Sequence, residues 1–266
     1  MTPRLSLAIV LVLLVLGAGY LLLQRPAEVA PPAPTPIPEA PAPQRPAPPP
    51  QADAFHVLAV SWQPAFCETA SDKPECRSQS RDRFDASHFT LHGLWPRDEY
   101  CDVSGRDETA DRDGRWSALP EVELPPALRR KLDTAMPGTL SQLERHEWIK
   151  HGTCFPADAE TYFTAALALL DQLNASPVRD LFTGNTGKRL TQRQVRAAFE
   201  TGFGHGAGER VRIACEDDGD RTLVTELTLG LWGTIGPTPD LADLLDAARP
   251  TSGGCTAGMI DAVGLQ

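Results

Sequence analysis

The sequence predicts an α+β domain in which a central antiparallel sheet is covered by helices and stabilised by disulfides. Three observations predict it. Segments of alternating hydrophobicity lie towards both ends of residues 52–266, helical periodicity is concentrated between them, and six cysteines are spread through the same region. Roughly 215 residues suit one medium-sized core, and no internal repeat divides them.

The first strand is read from Phe55 to Trp62, ending at Pro64. Phe55, Val57, Ala59 and Ser61 face one way, and His56, Leu58, Val60 and Trp62 face the other, which is the better candidate for burial. Residues 126–136 place Leu128, Leu132 and Met136 at steps of four before Pro137-Gly138 stops the helix. A second helix spans 158–174, where Tyr162, Ala165, Ala166, Leu169, Leu170 and Leu173 keep helical period. A third follows Thr191, which forms a capping box with Gln194. Val211–Cys215 and Leu223–Leu231 alternate and are read as two strands.

The chain before this domain has a different character. Leu5 to Leu23 is an uncharged run of nineteen residues behind Arg4, long enough to just span a bilayer. Residues 1–25 are therefore expected to be an uncleaved anchor or a cleaved signal, with Gly17-Ala18-Gly19 as a small-residue cleavage site. Either way the positive end stays inside and the rest is exported, to the periplasm or beyond. Residues 26–51, rich in proline and alanine, read as an extended linker, and 52–266 as the domain.

Removing Arg4, Arg25, Arg45, Glu28 and Glu39 from the totals of 25 cations and 35 anions leaves 22 against 33, so the domain is acidic at −11. Sequence-independent affinity for nucleic acid comes mainly from Lys and Arg on phosphates. That balance excludes a storage or architectural binder and leaves room for an enzyme with a locally positive cleft. Cys67, Cys76, Cys101, Cys154, Cys215 and Cys255 are even in number and lie in the exported part, so disulfides are expected. Spacing alone leaves all fifteen pairings open.

Two segments carry chemistry. On a helix, His146, Lys150, Glu147 and His151 fall near 0°, 40°, 100° and about 140°, while Trp148 and Ile149 turn to the other side. One face thus gathers four ionisable groups, although a solvated face of i,i+4 pairs has the same pattern. Zinc is excluded here, because two imidazoles need a separation of four, not five, to reach one ion. The second segment, Phe89 to Pro96 (FTLHGLWP), is strand-like and holds one histidine, His92, a residue that in isolation reads as part of the core.

Together FTLHGLWP and HEWIKHGTC resemble the two signature segments of the ribonuclease T2 family, in the same order, and the opening strand HVLAVSWQPAFC resembles that family's first strand. The resemblance runs from residue 55 to about 260 and implies a ribonuclease T2-like fold. It implies that His92 and His151 are general acid and base in an unassigned order. It also implies that His146 contacts phosphate and that Glu147 and Lys150 stabilise the pentacoordinate transition state. Trp95 would stack a base, with packing beside Pro96 the alternative, and Gln63 would contact a second base, with a hydrogen-bonded structural role the alternative. Disulfides transferred by position are Cys67–Cys76, Cys101–Cys154 and Cys215–Cys255.

The implied reaction is metal-independent endonucleolytic cleavage of single-stranded RNA through a 2′,3′-cyclic phosphate, with no cofactor and with DNA resistant for want of a 2′-hydroxyl. A monomer is expected. Many relatives carry an acidic residue where this chain has Arg97, which points to broad base specificity. His56, His88 and His205 match no catalytic position. The competing readings are a catalytically idle RNA-binding protein of the same fold and an envelope-tethered scaffold.

Overall fold

The computed structural model describes residues 55–265; the expected anchor or signal (1–25) and linker (26–51) lie outside them. Among the described residues, no helix is long and apolar enough to cross a membrane. Strand β1 (Phe55–Ser61) buries His56, Leu58 and Val60 on the expected face, followed by Trp62. Pro64 in the next first turn stops the strand and starts helix α1 (Gln63–Thr69), because its fixed φ suits a helix beginning. A short helix α2 (Pro74–Arg77) leads towards β2 (Thr90–Pro96), and α3 (Gly105–Arg112) is capped by the Ser104 hydroxyl.

The middle of the chain is helical, as its periodicity requires. Helix α4 (Pro126–Ala135) buries Leu132 and Ala135, and α5 (Leu143–Lys150) carries the second motif. Helix α6 (Ala159–Asn174) is capped by Asp158 and α7 (Pro177–Thr183) by Ser176. Strand β3 (Arg189–Thr191) runs into α8 (Gln192–Phe203), whose capping box of Thr191 and Gln194 is complete. Strands β4 (Val211–Asp218) and β5 (Arg221–Trp232) follow, joined through Gly219 at φ +61, a backbone angle a short hairpin loop needs and glycine adopts without strain. Helix α9 (Leu241–Ala247) and strand β6 (Ala257–Met259) complete the fold.

The strand order is β2-β1-β5-β6-β3, with β4 also paired to β5. A strand has two edges, so β4 takes one edge of β5, while β1 takes Glu226 to Trp232 and β6 meets Leu223 on the other. The expectation of an antiparallel sheet holds for every pairing except that of β5 with β6, which is parallel. The cause is connectivity: the chain after β5 returns through α9, so its last strand runs in the same direction.

Helix α6 packs its apolar face on the sheet, burying Tyr162, Phe163, Ala166, Leu169, Leu170 and Leu173 completely. Each large apolar side chain removed from water contributes roughly 1.5–3 kcal/mol. Polar bonds then fix where β2 lies on that helix. The Asn174 amide accepts from Phe89 N–H and donates to Phe89 C=O, both at 2.9 Å, and Tyr162 hydroxyl donates to Leu94 C=O at 2.9 Å. The three disulfides are Cys67–Cys76, Cys101–Cys154 and Cys215–Cys255. Of the remaining histidines, His56 is buried edge-on to Phe155, His88 stacks on Phe84, and His205 is exposed.

Candidate active site

Strand β2 and helix α5 build the site together. On β2, Ala59 of β1 pairs with Gly93 and Val60 with Leu91, which leaves His92 as an extra residue in a bulge. A bulge bends the strand and re-aims its side chain, and here it turns the imidazole away from the core. The next residue must be glycine, since a Cβ at Gly93 would collide with the Glu147 carboxylate and the Trp95 indole nitrogen. This strand therefore lets α5 approach at its point of closest contact.

Helix α5 follows Gln142, which holds a left-handed φ of 62°. Its back is apolar as expected: Ile149 joins Ala110 and Leu119 in a small cluster, and Trp148 packs edge-on to Tyr162. One expectation is corrected. His151 is not on the helix but caps it at φ −115° and ψ −47°, so the wheel angle drawn for it does not apply. The Cys101–Cys154 bridge and a bond from Tyr100 N–H to Lys150 C=O at 2.8 Å fasten this helix end to the loop after β2.

Glu147 is the hub. Its side chain is buried, with Oε1 3.6 Å from His92 Nε2 and 3.8 Å from His146 Nε2, and Oε2 accepts from Trp95 Nε1–H at 2.8 Å. Burial raises its pKa, opposed by the charges of His92, His146 and Lys150 and by the Trp95 bond. Trp95 spaces the two outer histidines, stacked on His151 at 5.4 Å and edge-on to His92 at 5.2 Å. Its ring face towards His151 is thus already covered.

Each remaining imidazole has its own electrostatic setting. His151 is 6 % exposed, with no hydrogen-bond partner at Nδ1 among the described residues; burial, then the charges of Lys150, His146 and His92, push its pKa down to about 3. For His92, burial disfavours the cation, but the bond to Glu226 and the charges of Glu147 and Glu226 outweigh it, so its pKa is raised. His146 Nδ1 lies 2.8 Å from Asp111 Oδ1, and its ring stacks on Trp116 at 4.6 Å. The Tyr100 hydroxyl donates to Asp111 Oδ2 at 2.9 Å.

Two cavities lie here, with Trp116 in the wall of both. One, of about 330 Å³, includes His92, Gln63, Phe66, Glu216 and Glu226 in its lining. The other, of about 430 Å³, includes His146, Lys150, Tyr100, Asp111 and Glu99. Lys150 sits at the rim with Nζ 3.5 Å from Glu99 Oε1. Gln63 is buried beneath the first cavity, accepting from the Thr90 hydroxyl at 3.2 Å and donating to Cys67 Sγ at 3.7 Å. The sequence reading missed Glu226, Asp111, Tyr100 and Trp116, whose roles come only from contacts that folding creates.

Comparison with known proteins shows the family. The profile of the Ribonuclease T2 family matches residues 53–236. The chain is 30% identical over 200 residues to Ribonuclease I of Escherichia coli (strain K12), covering 66% of this chain and 74% of that protein. It is 27% identical over 199 residues to Ribonuclease MC of Momordica charantia, covering 72% and 93%. Its fold is similar to that of RNase NT, solved in complex with 5'-AMP, at a TM-score of 0.51 and 21% identity over 79% of this chain and 98% of that one. The chain therefore belongs to the ribonuclease T2 family and is an endoribonuclease of that type.

Proposed function

We propose that the site cleaves single-stranded RNA by metal-independent transphosphorylation, with His151 as the base that starts the reaction and His92 as the acid. The observation that supports this assignment is the different setting of the two imidazoles on either side of Trp95: His151 is buried with no hydrogen-bond partner at Nδ1 among the described residues, which disfavours its cation, and His92 is held at Nδ1 by the Glu226 carboxylate, which favours its cation. A base must begin without its proton and an acid with it.

His151 takes the proton of the ribose 2′-hydroxyl as its oxygen attacks phosphorus. The bond from phosphorus to the 5′-oxygen breaks, and His92 Nε2–H protonates that oxygen. The products are a 2′,3′-cyclic phosphate and a free 5′-hydroxyl. Charge grows on the phosphoryl oxygens during attack, and His146, held by Asp111, with Lys150 supplies donors there. Glu147 lies between His92 and His146, within 4 Å of an Nε2 on each, and its charge favours the His92 cation. Trp95, Gln63 and the two cavities beside Trp116 are the surfaces for bases, and exposed Arg97 favours broad base specificity. DNA resists because the nucleophile belongs to the ribose.

Export, with residues 5–23 as tether or signal and a monomeric domain beyond, completes the proposal. The test is digestion of a defined RNA oligonucleotide with chelator present, with ends identified by mass. Cyclic phosphate ends are expected. Loss of cleavage in chelator, or cleavage of single-stranded DNA at a similar rate, overturns the reading, and retention of RNA without cleavage favours the idle binding protein.

A further inference from the structure

We propose that Glu226 is a positioning residue of the reaction, holding His92 by Nδ1 from a strand two places away in the sheet so that Nε2 is aimed into the cleft. The proposal rests on the catalytic reading of His92 given above.

The contact is built by the backbone. Glu226 Oε2 lies 2.6 Å from His92 Nδ1, although the two residues are 134 positions apart and β1 runs between their strands. Ser61 is the residue that β1 places between them, paired with Glu226 on one side and with Thr90 on the other. Its small side chain lets a carboxylate and an imidazole meet above it. Both approaching residues adjoin irregularities of the sheet. His92 is the extra residue of the β2 bulge, and on β5 Ala214 pairs with Glu226 while Cys215 pairs with Val224, which leaves Thr225 extra beside Glu226. Bulges increase local twist and redirect side chains, and these two redirect a pair towards one another.

The chemistry fits the geometry. A carboxylate only accepts, so Nδ1 carries its proton towards Glu226 and Nε2 is the nitrogen left for the substrate. The groups facing His92 are Glu226 from β5 and Glu147, Lys150 and His151 from α5 and its cap. Glu147 reaches Nε2 at 3.6 Å, longer than a hydrogen bond, so Nδ1 is the only ring atom with a short partner among the described residues. The raised pKa of His92 accords with this partner.

The test compares E226Q, E226A and E226D in the full chain, with the His92 ring followed by nitrogen-detected NMR through a pH titration. E226Q keeps an acceptor but not the charge. Its His92 is expected to titrate at lower pH, and the basic limb of kcat/KM to move down with it. E226A is expected to lose roughly ten- to a hundredfold in kcat with little change in KM, as fits one charge-assisted hydrogen bond. E226D restores part of that loss. An unchanged His92 titration and an unchanged basic limb in both E226Q and E226A, with the protein folded, overturn the proposal. Should the parent protein cleave no RNA, the catalytic reading fails by itself, while the His92 titration still decides whether Glu226 governs this ring.

Discussion

Replacing Asp111 by asparagine tests whether the second imidazole depends on its support. The Asp111 side chain is 1% exposed and divides its oxygens between His146 Nδ1 at 2.8 Å and the Tyr100 hydroxyl at 2.9 Å. Tyr100 stays a donor, because burial and then Asp111 push its pKa up to about 12. An asparagine satisfying Tyr100 with its oxygen would offer an N–H to His146 Nδ1. That would make Nδ1 an acceptor and take away the carboxylate that holds this ring. One hydrogen bond to a charged group is worth roughly 1.5–3 kcal/mol, and tenfold in rate costs about 1.36 kcal/mol, so kcat/KM should fall about 10- to 150-fold. The assay is steady-state cleavage of a dinucleotide, with a thermal melt as control for folding. Y100F, which removes a neutral donor, should cost less, about 0.5–1.5 kcal/mol. A folded D111N enzyme within twofold of the parent would refute the role given to this carboxylate.

Three other outcomes are expected. Since the His92 pKa is raised, the acid is lost only as pH climbs through a midpoint above about 6.5, the ordinary value for histidine; a kcat/KM profile already falling below that pH contradicts the assignment. Replacing Cys101 and Cys154 together by alanine opens a loop of 53 residues, which chain entropy values at roughly 4 kcal/mol. For a domain of this size that is a fall in Tm of about 8–16 °C, and a melt unchanged within a few degrees would count against it. G93A forces Glu147 and Trp95 from their places and should cost about 1–3 kcal/mol of stability together with at least tenfold in kcat/KM; parental rates in G93A would show that the close approach of β2 and α5 is dispensable.

Much of this architecture could be read from local patterns, and what escaped was non-local. Helix α6 announces itself through Tyr162, Ala166, Leu169 and Leu173, and α8 through a capping box, because both signals lie within a few turns of chain. The residues His146, Glu147 and Lys150 fall on one face for the same reason. Glu226 carried no such mark: it sits in β5 as the polar partner of an ordinary alternation, and its role exists only once β1 is laid between it and β2. Trp116, in a single turn at 116–118, was equally silent until its stacking on His146 was seen. Pairing in parallel between β5 and β6 depends on the path taken by α9 and the loop beyond, which no window of sequence records. His151 was misplaced for a smaller reason, since the helix ends one residue sooner than its charge pattern suggests.

The irregular pairing at His92 also leaves a trace in how the strand is spelled. Regular strands repeat in twos, yet Leu91 and Leu94 are both buried, and the rings of His92 and Trp95 meet edge-on, so each pair recurs in threes. A reader of sequence who insists on strict parity assigns half of the segment to the wrong side. Deleting Gly93 would restore a spacing of two and, in doing so, remove both the bulge that re-aims His92 and the one residue that leaves room for the Glu147 carboxylate. The broken rhythm of this short segment is thus part of its meaning.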